Sequence, residues 1–137
     1  NITALSHDST QTISEYKGAF DVCLCDVPCS GFGVIIDNPD IKLNREESSI
    51  DELNKTQLSI LKASASYVKE GGFLYYSTCS IFKQENQEII DEFLSTNNDF
   101  IQVDINSALP NLKVGKAIQF LPHISGGGFF VAKLQRK

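Results

Sequence analysis

No apolar run in the 137 residues approaches the ~18 that a membrane span needs. No secretory leader opens the chain either, so it is read as cytoplasmic, with no membrane partner. Repeats, low-complexity tracts and linkers are also missing, which excludes a solenoid or a tethered array. Positive charge is scarce: twelve Lys and Arg stand against seventeen Asp and Glu, a formal net charge of −5. The densest basic tract is Lys133 with Arg136 and Lys137 at the very end. A protein of this balance does not hold nucleic acid through its overall field, so any such contact is local or made by a separate domain. Cysteine is sparse, at positions 23, 25, 29 and 79. The spacing C-x-C-x3-C with a remote fourth fits neither a secreted disulfide framework nor a trusted zinc pattern, so no metal is expected. The first residue is Asn1 rather than Met, and the chain reads as an excised or processed piece.

What is present is ordinary globular composition, 42% hydrophobic and 21% charged, in one domain's length or a large part of one. Phe20 to Cys25 is a short, mostly apolar run suited to a buried strand. Cys23 and Cys25 stand two apart in it and are expected to share one face as small buried hydrophobes. Residues 28–49 read as a long loop broken by Pro28, Gly31, Gly33, Asn38 and Pro39, and a loop of that length is usually functional. From Ser49 to Val68, the positions Ile50, Leu53, Gln57, Leu58, Leu61, Ala65 and Val68 recur at helical spacing. Lys69-Glu70-Gly71-Gly72 is expected to end that helix. Phe73 to Tyr76 is a second strand, Gln84 to Leu94 a second helix, and Phe100 to Val103 a third strand. Ala117 to Leu121 and Phe129 to Leu134 flank Gly126-Gly127-Gly128 and read as a hairpin.

This order implies an α/β fold: a mostly parallel sheet with helices on both faces and an antiparallel hairpin at the end. In such sheets ligands bind beyond the carboxyl ends of the strands. Two polar clusters lie there, Asp26-Val27-Pro28-Cys29-Ser30-Gly31 and Ser77-Thr78-Cys79-Ser80. Either alone is unremarked turn chemistry. Together they put one acid and two thiols at the tips of neighbouring strands, an arrangement that suits covalent catalysis better than packing.

DVPCSG at 26–31 resembles the fourth motif of RNA cytosine-5 methyltransferases, and STCS at 77–80 resembles their sixth. NPDIK at 38–42, VKEGG at 68–72 and the GGGFFVAKL ending extend the resemblance over nearly the whole chain, which is most similar to the bacterial 16S ribosomal RNA enzymes. The resemblance implies a Rossmann-like fold dependent on S-adenosylmethionine, represented over residues 1–137 by the C-terminal part of its catalytic domain. It implies Cys79 as the nucleophile on cytosine C6, Cys29 as the thiol that assists release of the RNA adduct, and Asp26 beside the base and the cofactor. Ile2 to Asp8 resembles the family's third motif, whose acid, here Asp8, approaches the cofactor's adenine. Lys42, Arg45 and Ser30 are candidates for substrate contact, the two cations being equally readable as solvated loop charges. Phe32 is expected to pack rather than stack on a base, and His7 and His123 to be incidental surface residues. A carboxyl shielded beside the base would have a raised pKa, whereas the nucleophilic thiol needs a lowered one.

In this family the glycine-rich cofactor loop and the ribose-binding acid belong to the first two strands and would precede Asn1. The chain alone is therefore expected to bind S-adenosylmethionine weakly and to be inactive. The partner is RNA, 16S ribosomal RNA by closest resemblance. A non-catalytic RNA-binding or ribosome-assembly module on the same fold is the alternative, and the two differ only in activity.

Overall fold

A computed structural model describes residues 1–44 and 48–137. Six strands, β1 (Phe20–Asp26), β2 (Val68–Thr78), β3 (Phe100–Val103), β4 (Leu112–Val114), β5 (Ala117–Phe120) and β6 (Phe129–Arg136), form one sheet. Among the described residues four α-helices accompany them: α1 (Ile41–Asn44), α2 (Ser48–Ala65), α3 (Gln87–Thr96) and α4 (Pro122–Ser125). The sheet order is β1-β2-β6-β5-β4, with β3 also paired to β6. β1 and β2 run parallel through the long α2 crossover, as adjacent parallel strands require.

The α/β, Rossmann-like expectation holds, with two corrections. Only the β1–β2 pairing is parallel and the other four are antiparallel, because β2, β3 and β5 all pair antiparallel with β6, and β4 pairs antiparallel with β5. The two long helices also cover one face rather than both. Leu61 and Ala65 of α2 and Ile89, Ile90 and Phe93 of α3 join Cys25, Leu74, Tyr76, Phe130, Ala132 and Leu134 in a single core. On the opposite face Val22 and Leu24 are 56% and 69% exposed. Cys23 and Cys25 do share the core side, as the two-residue spacing predicts. Burial pushes both thiols up, Cys25 to about 11.

Helix α2 ends at Ala65, short of the expected Val68, and Lys69-Glu70-Gly71-Gly72 lies inside β2. Strand pairing starts earlier than periodicity suggests: the Phe20 N–H donates to the Tyr67 carbonyl at 3.0 Å, and Phe20 faces Val68 in the ladder. The register then jumps, so that Val22 pairs with Phe73 and residues 69–72 bulge past Asp21. A side chain on Gly72 would meet the Asp21 carbonyl oxygen at 2.8 Å, which accounts for the second glycine. The expected terminal pair is β5 and β6, antiparallel as predicted, but a helical turn, α4, sits in the connection. The tight hairpin β4–β5, turning at Gly115 and Lys116, has no counterpart in the sequence reading.

Phe93→Ala is expected to destabilise the chain by about 3–5 kcal/mol, since its ring is wholly enclosed. Leu24→Ala, on the open face, should change stability by less than ~0.5 kcal/mol. Urea unfolding of the two variants checks the contrast.

Candidate active site

Parallel pairing of β1 with β2 places Asp26 opposite Ser77, so the two polar clusters lie at the same end of adjacent strands, as expected. The ladder continues one step beyond β1, where the Val27 N–H donates to the Ser77 carbonyl at 3.2 Å. The chain then turns at Pro28 and crosses the tip of β2. There Cys29 and Cys79 meet, Sγ to Sγ at 2.8 Å, both as free thiols. Cys29 is buried and Cys79 half-buried. Burial, reinforced by Cys79, pushes the Cys29 thiol up to about 12.

Beneath the thiols lies a buried carboxylate that sequence reasoning missed. Glu85 is fully enclosed in the 3-10 turn before α3. Its Oε1 accepts from the Ser30 N–H at 2.7 Å and Gln57 Nε2 at 3.1 Å, and its Oε2 accepts from the Ser30 and Ser80 hydroxyls at 2.5 Å each. All four neighbours donate, the pattern an acceptor-only carboxylate requires when it is taken out of water. The Tyr76 hydroxyl donates to the Glu85 carbonyl at 2.7 Å, and its own pKa is driven far up by burial. Next door, Asn86 accepts from the Thr78 hydroxyl at 2.6 Å and donates to the Ser80 carbonyl and to Gln119 Oε1, both at 3.0 Å. Gln119 Nε2 extends the network to the Phe129 carbonyl at 2.9 Å. The one legible trace of this network was Gln57, a polar residue on the otherwise apolar stripe of α2.

Ser30, expected to touch substrate, is fully buried with its hydroxyl on Glu85. Asp26 is exposed on the open side of the sheet and accepts from the Ser77 hydroxyl at 2.9 Å; the shielding expected around it is not formed by the described residues. Lys42 is exposed on α1, whose Ile41 covers Gly31 of the cysteine loop. Arg45 lies outside the described residues. Phe32 packs against Phe82 with centroids 4.8 Å apart, as expected. Both histidines are exposed, with His7 bonded to the Gln11 carbonyl at 3.0 Å.

Asp8 is also exposed, and its carboxyl is held below the usual range by the Thr10 hydroxyl and then the Thr10 N–H. Its neighbours Gln11 and Ile13 bond to Tyr67, the residue before β2, whereas Asp26 lies at that strand pair's far end. The Gly33 N–H is taken by the Cys79 carbonyl at 2.9 Å, and the Gly128 N–H by the Gly33 carbonyl at 2.8 Å. Among the described residues no group of three or more His, Cys, Asp or Glu is placed to hold a metal, and no helix is long and apolar enough to cross a membrane.

The α/β sheet, covered by helices on one face, carries an acid and two thiols at one strand end, as expected of a Rossmann-like methyltransferase fold. The chain belongs to the family described as 16S rRNA methyltransferase RsmB/F, which it matches over residues 1–135. It is 46% identical over 117 residues to the ribosomal RNA small subunit methyltransferase B of Pectobacterium atrosepticum, covering 84% of this chain and 26% of that protein. With the probable ribosomal RNA small subunit methyltransferase B of Bacillus subtilis it shares 40% identity over 125 residues, covering 86% of this chain and 28% of the relative. The chain therefore spans little more than a quarter of either. The structure of NSun6 from Pyrococcus horikoshii with SFG superposes with a TM-score of 0.70 at 27% identity, over 82% of this chain and 29% of that one.

A Cβ on Gly33 would stand 2.1 Å from the Gly128 carbonyl oxygen and 2.7 Å from that of Cys79. Gly33→Ala should cost roughly 1–3 kcal/mol or more of stability, read by thermal unfolding, because backbone on both sides must move. The buried Cys25 thiol makes stability pH-dependent. Its contribution is fully present below the ordinary thiol value of 9.0 and is lost as pH rises through about 11, so the melting temperature should fall across that window and fall less in Cys25→Ala.

Proposed function

We propose that the chain is the C-terminal part of the catalytic domain of an S-adenosylmethionine-dependent RNA cytosine-5 methyltransferase acting on 16S ribosomal RNA, with Cys79 as nucleophile. The observation that carries this reading is the meeting of Cys29 and Cys79 at 2.8 Å, at the strand end where the ligands of such sheets bind. The Cys79 thiolate adds to C6 of an unpaired or extruded cytosine, forming a C–S bond and loading electron density onto C5. In this reading Asp26, exposed beside Ser77, is the acid that supplies a proton or hydrogen bond to N3 and so makes C6 electrophilic. S-adenosylmethionine, when bound, supplies the methyl group to C5. Water then takes the C5 proton, the freed electron pair restores the C5–C6 double bond, and the C–S bond breaks with Cys79 leaving as the thiolate. Cys29, whose thiol is pushed up by burial, assists that release. Lys42 remains a candidate for phosphate contact.

Support for the cofactor comes from family membership and from the relative solved with SFG, an analogue of S-adenosylmethionine. Asp26 and Asp8 are the cofactor-facing acids in this reading. The described residues hold no open glycine turn between a strand and a helix, so the 137-residue chain by itself binds the cofactor weakly and does not turn over. Calorimetric titration of the chain with S-adenosylmethionine should show no micromolar binding; tight binding would mean that the cofactor pocket lies elsewhere.

Activity is tested in a chimaera in which this chain replaces the matching segment of the Pectobacterium atrosepticum relative. The chimaera should methylate 16S RNA at cytosine C5, and Cys79→Ala should lower the rate by at least ~10³-fold. Cys29→Ala should accumulate a protein–RNA adduct stable to denaturing electrophoresis. Undiminished methylation by Cys79→Ala would overturn the assignment.

A further inference from the structure

Cys29-Ser30 and Cys79-Ser80 are the same dipeptide on two different strand tips. Each serine follows its cysteine, and both hydroxyls converge on one oxygen, Glu85 Oε2, at 2.5 Å each, with their own oxygens 3.4 Å apart. The other carboxylate oxygen takes the Ser30 N–H and Gln57, and Gln57 also donates to the Pro28 carbonyl at 2.9 Å. Pro28 to Gly31 has no regular secondary structure to hold it, so these bonds and the Gly33 contact fix where Cys29 lies. Glu85 is itself immobilised through its carbonyl by Tyr76 and through Asn86 by Thr78, Ser80 and Gln119.

We propose that Glu85 is a positioning residue: its single buried carboxylate, acting through the serine that follows each cysteine, sets the separation of the two thiols. The importance of that separation for catalysis rests on the methyltransferase reading above; the positioning itself does not. A carboxylate is suited to the task because it offers acceptor sites for four donors on two rigidly linked oxygens. An amide in its place keeps contact with both hydroxyls, since a hydroxyl turns readily from donor to acceptor. Alanine keeps none of the four.

The separation is measurable with no RNA or cofactor, as the effective concentration of one thiol for the other. The chain is equilibrated with reduced and oxidised glutathione, quenched with acid, and the Cys29–Cys79 link quantified by peptide mass spectrometry. In that exchange two protein thiols lose their protons, the S–S bond of glutathione disulfide breaks, one protein S–S bond forms, and two glutathione thiols are released. Glu85→Ala should lower the effective concentration about tenfold or more, whereas Glu85→Gln should stay within about threefold of the parent. Ile90→Val, which loosens the core without touching the network, serves as a control for stability and should leave the value unchanged. A smaller fall in Glu85→Ala, an equal fall in Ile90→Val, or a Gln variant as loose as the Ala variant overturns the proposal. If Glu85→Ala does not fold, Ser80→Ala carries the test: removing one strut should lower the value by about threefold or more, and a smaller change overturns the proposal. The Cys79→Ala chimaera tests methylation separately, so failure of the positioning and failure of the enzymatic reading give different results.

Discussion

A buried carboxylate with four neutral donors is the constraint on which this site depends. Placing Glu85 out of water costs several kcal/mol unless its oxygens are fully bonded, and hydrogen bonds to a charged group each return about 1.5–3 kcal/mol. The donors come from three places in the chain: the loop after β1, the loop after β2, and the middle of α2. Satisfying the carboxylate therefore requires all three to be in place at once. The thiols ride on two of those segments. Their contact is a consequence of how Glu85 is solvated by protein, and the geometry of the chemistry follows from a folding requirement.

The two faces of the strand tips divide the labour. Thr78, Ser80 and Ser30 lie on the side of the helices, buried, and serve the network. Asp26 lies on the open side, and Cys79 is half-buried between the two. Pleating alone produces this division, because successive residues of a strand point to opposite faces. It lets one short tetrapeptide, Ser77 to Ser80, carry a bond to the exposed acid, a structural hydroxyl, the thiol proposed as nucleophile and a second structural hydroxyl in turn. Gly33, in backbone contact with the Cys79 carbonyl and with Gly128, closes the arrangement where no side chain would fit.

The acid and both thiols were legible in the sequence because they sit in contiguous motifs directly after apolar runs, where parallel pairing of β1 and β2 brings strand ends together. Strand and helix positions followed from periodicity. The end of α2 did not, because pairing of Phe20 with Tyr67 and Val68 captures residues that a glycine-ended helix would otherwise claim. The balance of parallel and antiparallel pairing was misjudged for a related reason: sequence spacing does not show that β3, β5 and β2 all pair with β6. Glu85 was invisible for a different one. Its partners stand 55, 28 and 5 residues away, and nothing about a glutamate before a helix distinguishes a solvated cap from a buried hub. The bond of Ser30 was invisible with it, since nothing in the sequence shows that its hydroxyl is taken by a glutamate 55 residues on.

The most direct test of the central claim asks which sulfur forms the bond to RNA. In the chimaera carrying Cys29→Ala, the trapped protein–RNA adduct is digested with protease and nuclease and the modified peptide is sequenced by mass spectrometry. The account predicts a cytidine-derived mass on Cys79, within the peptide that continues to Ser80. An adduct on any other residue, or no adduct while methylation proceeds, would contradict it.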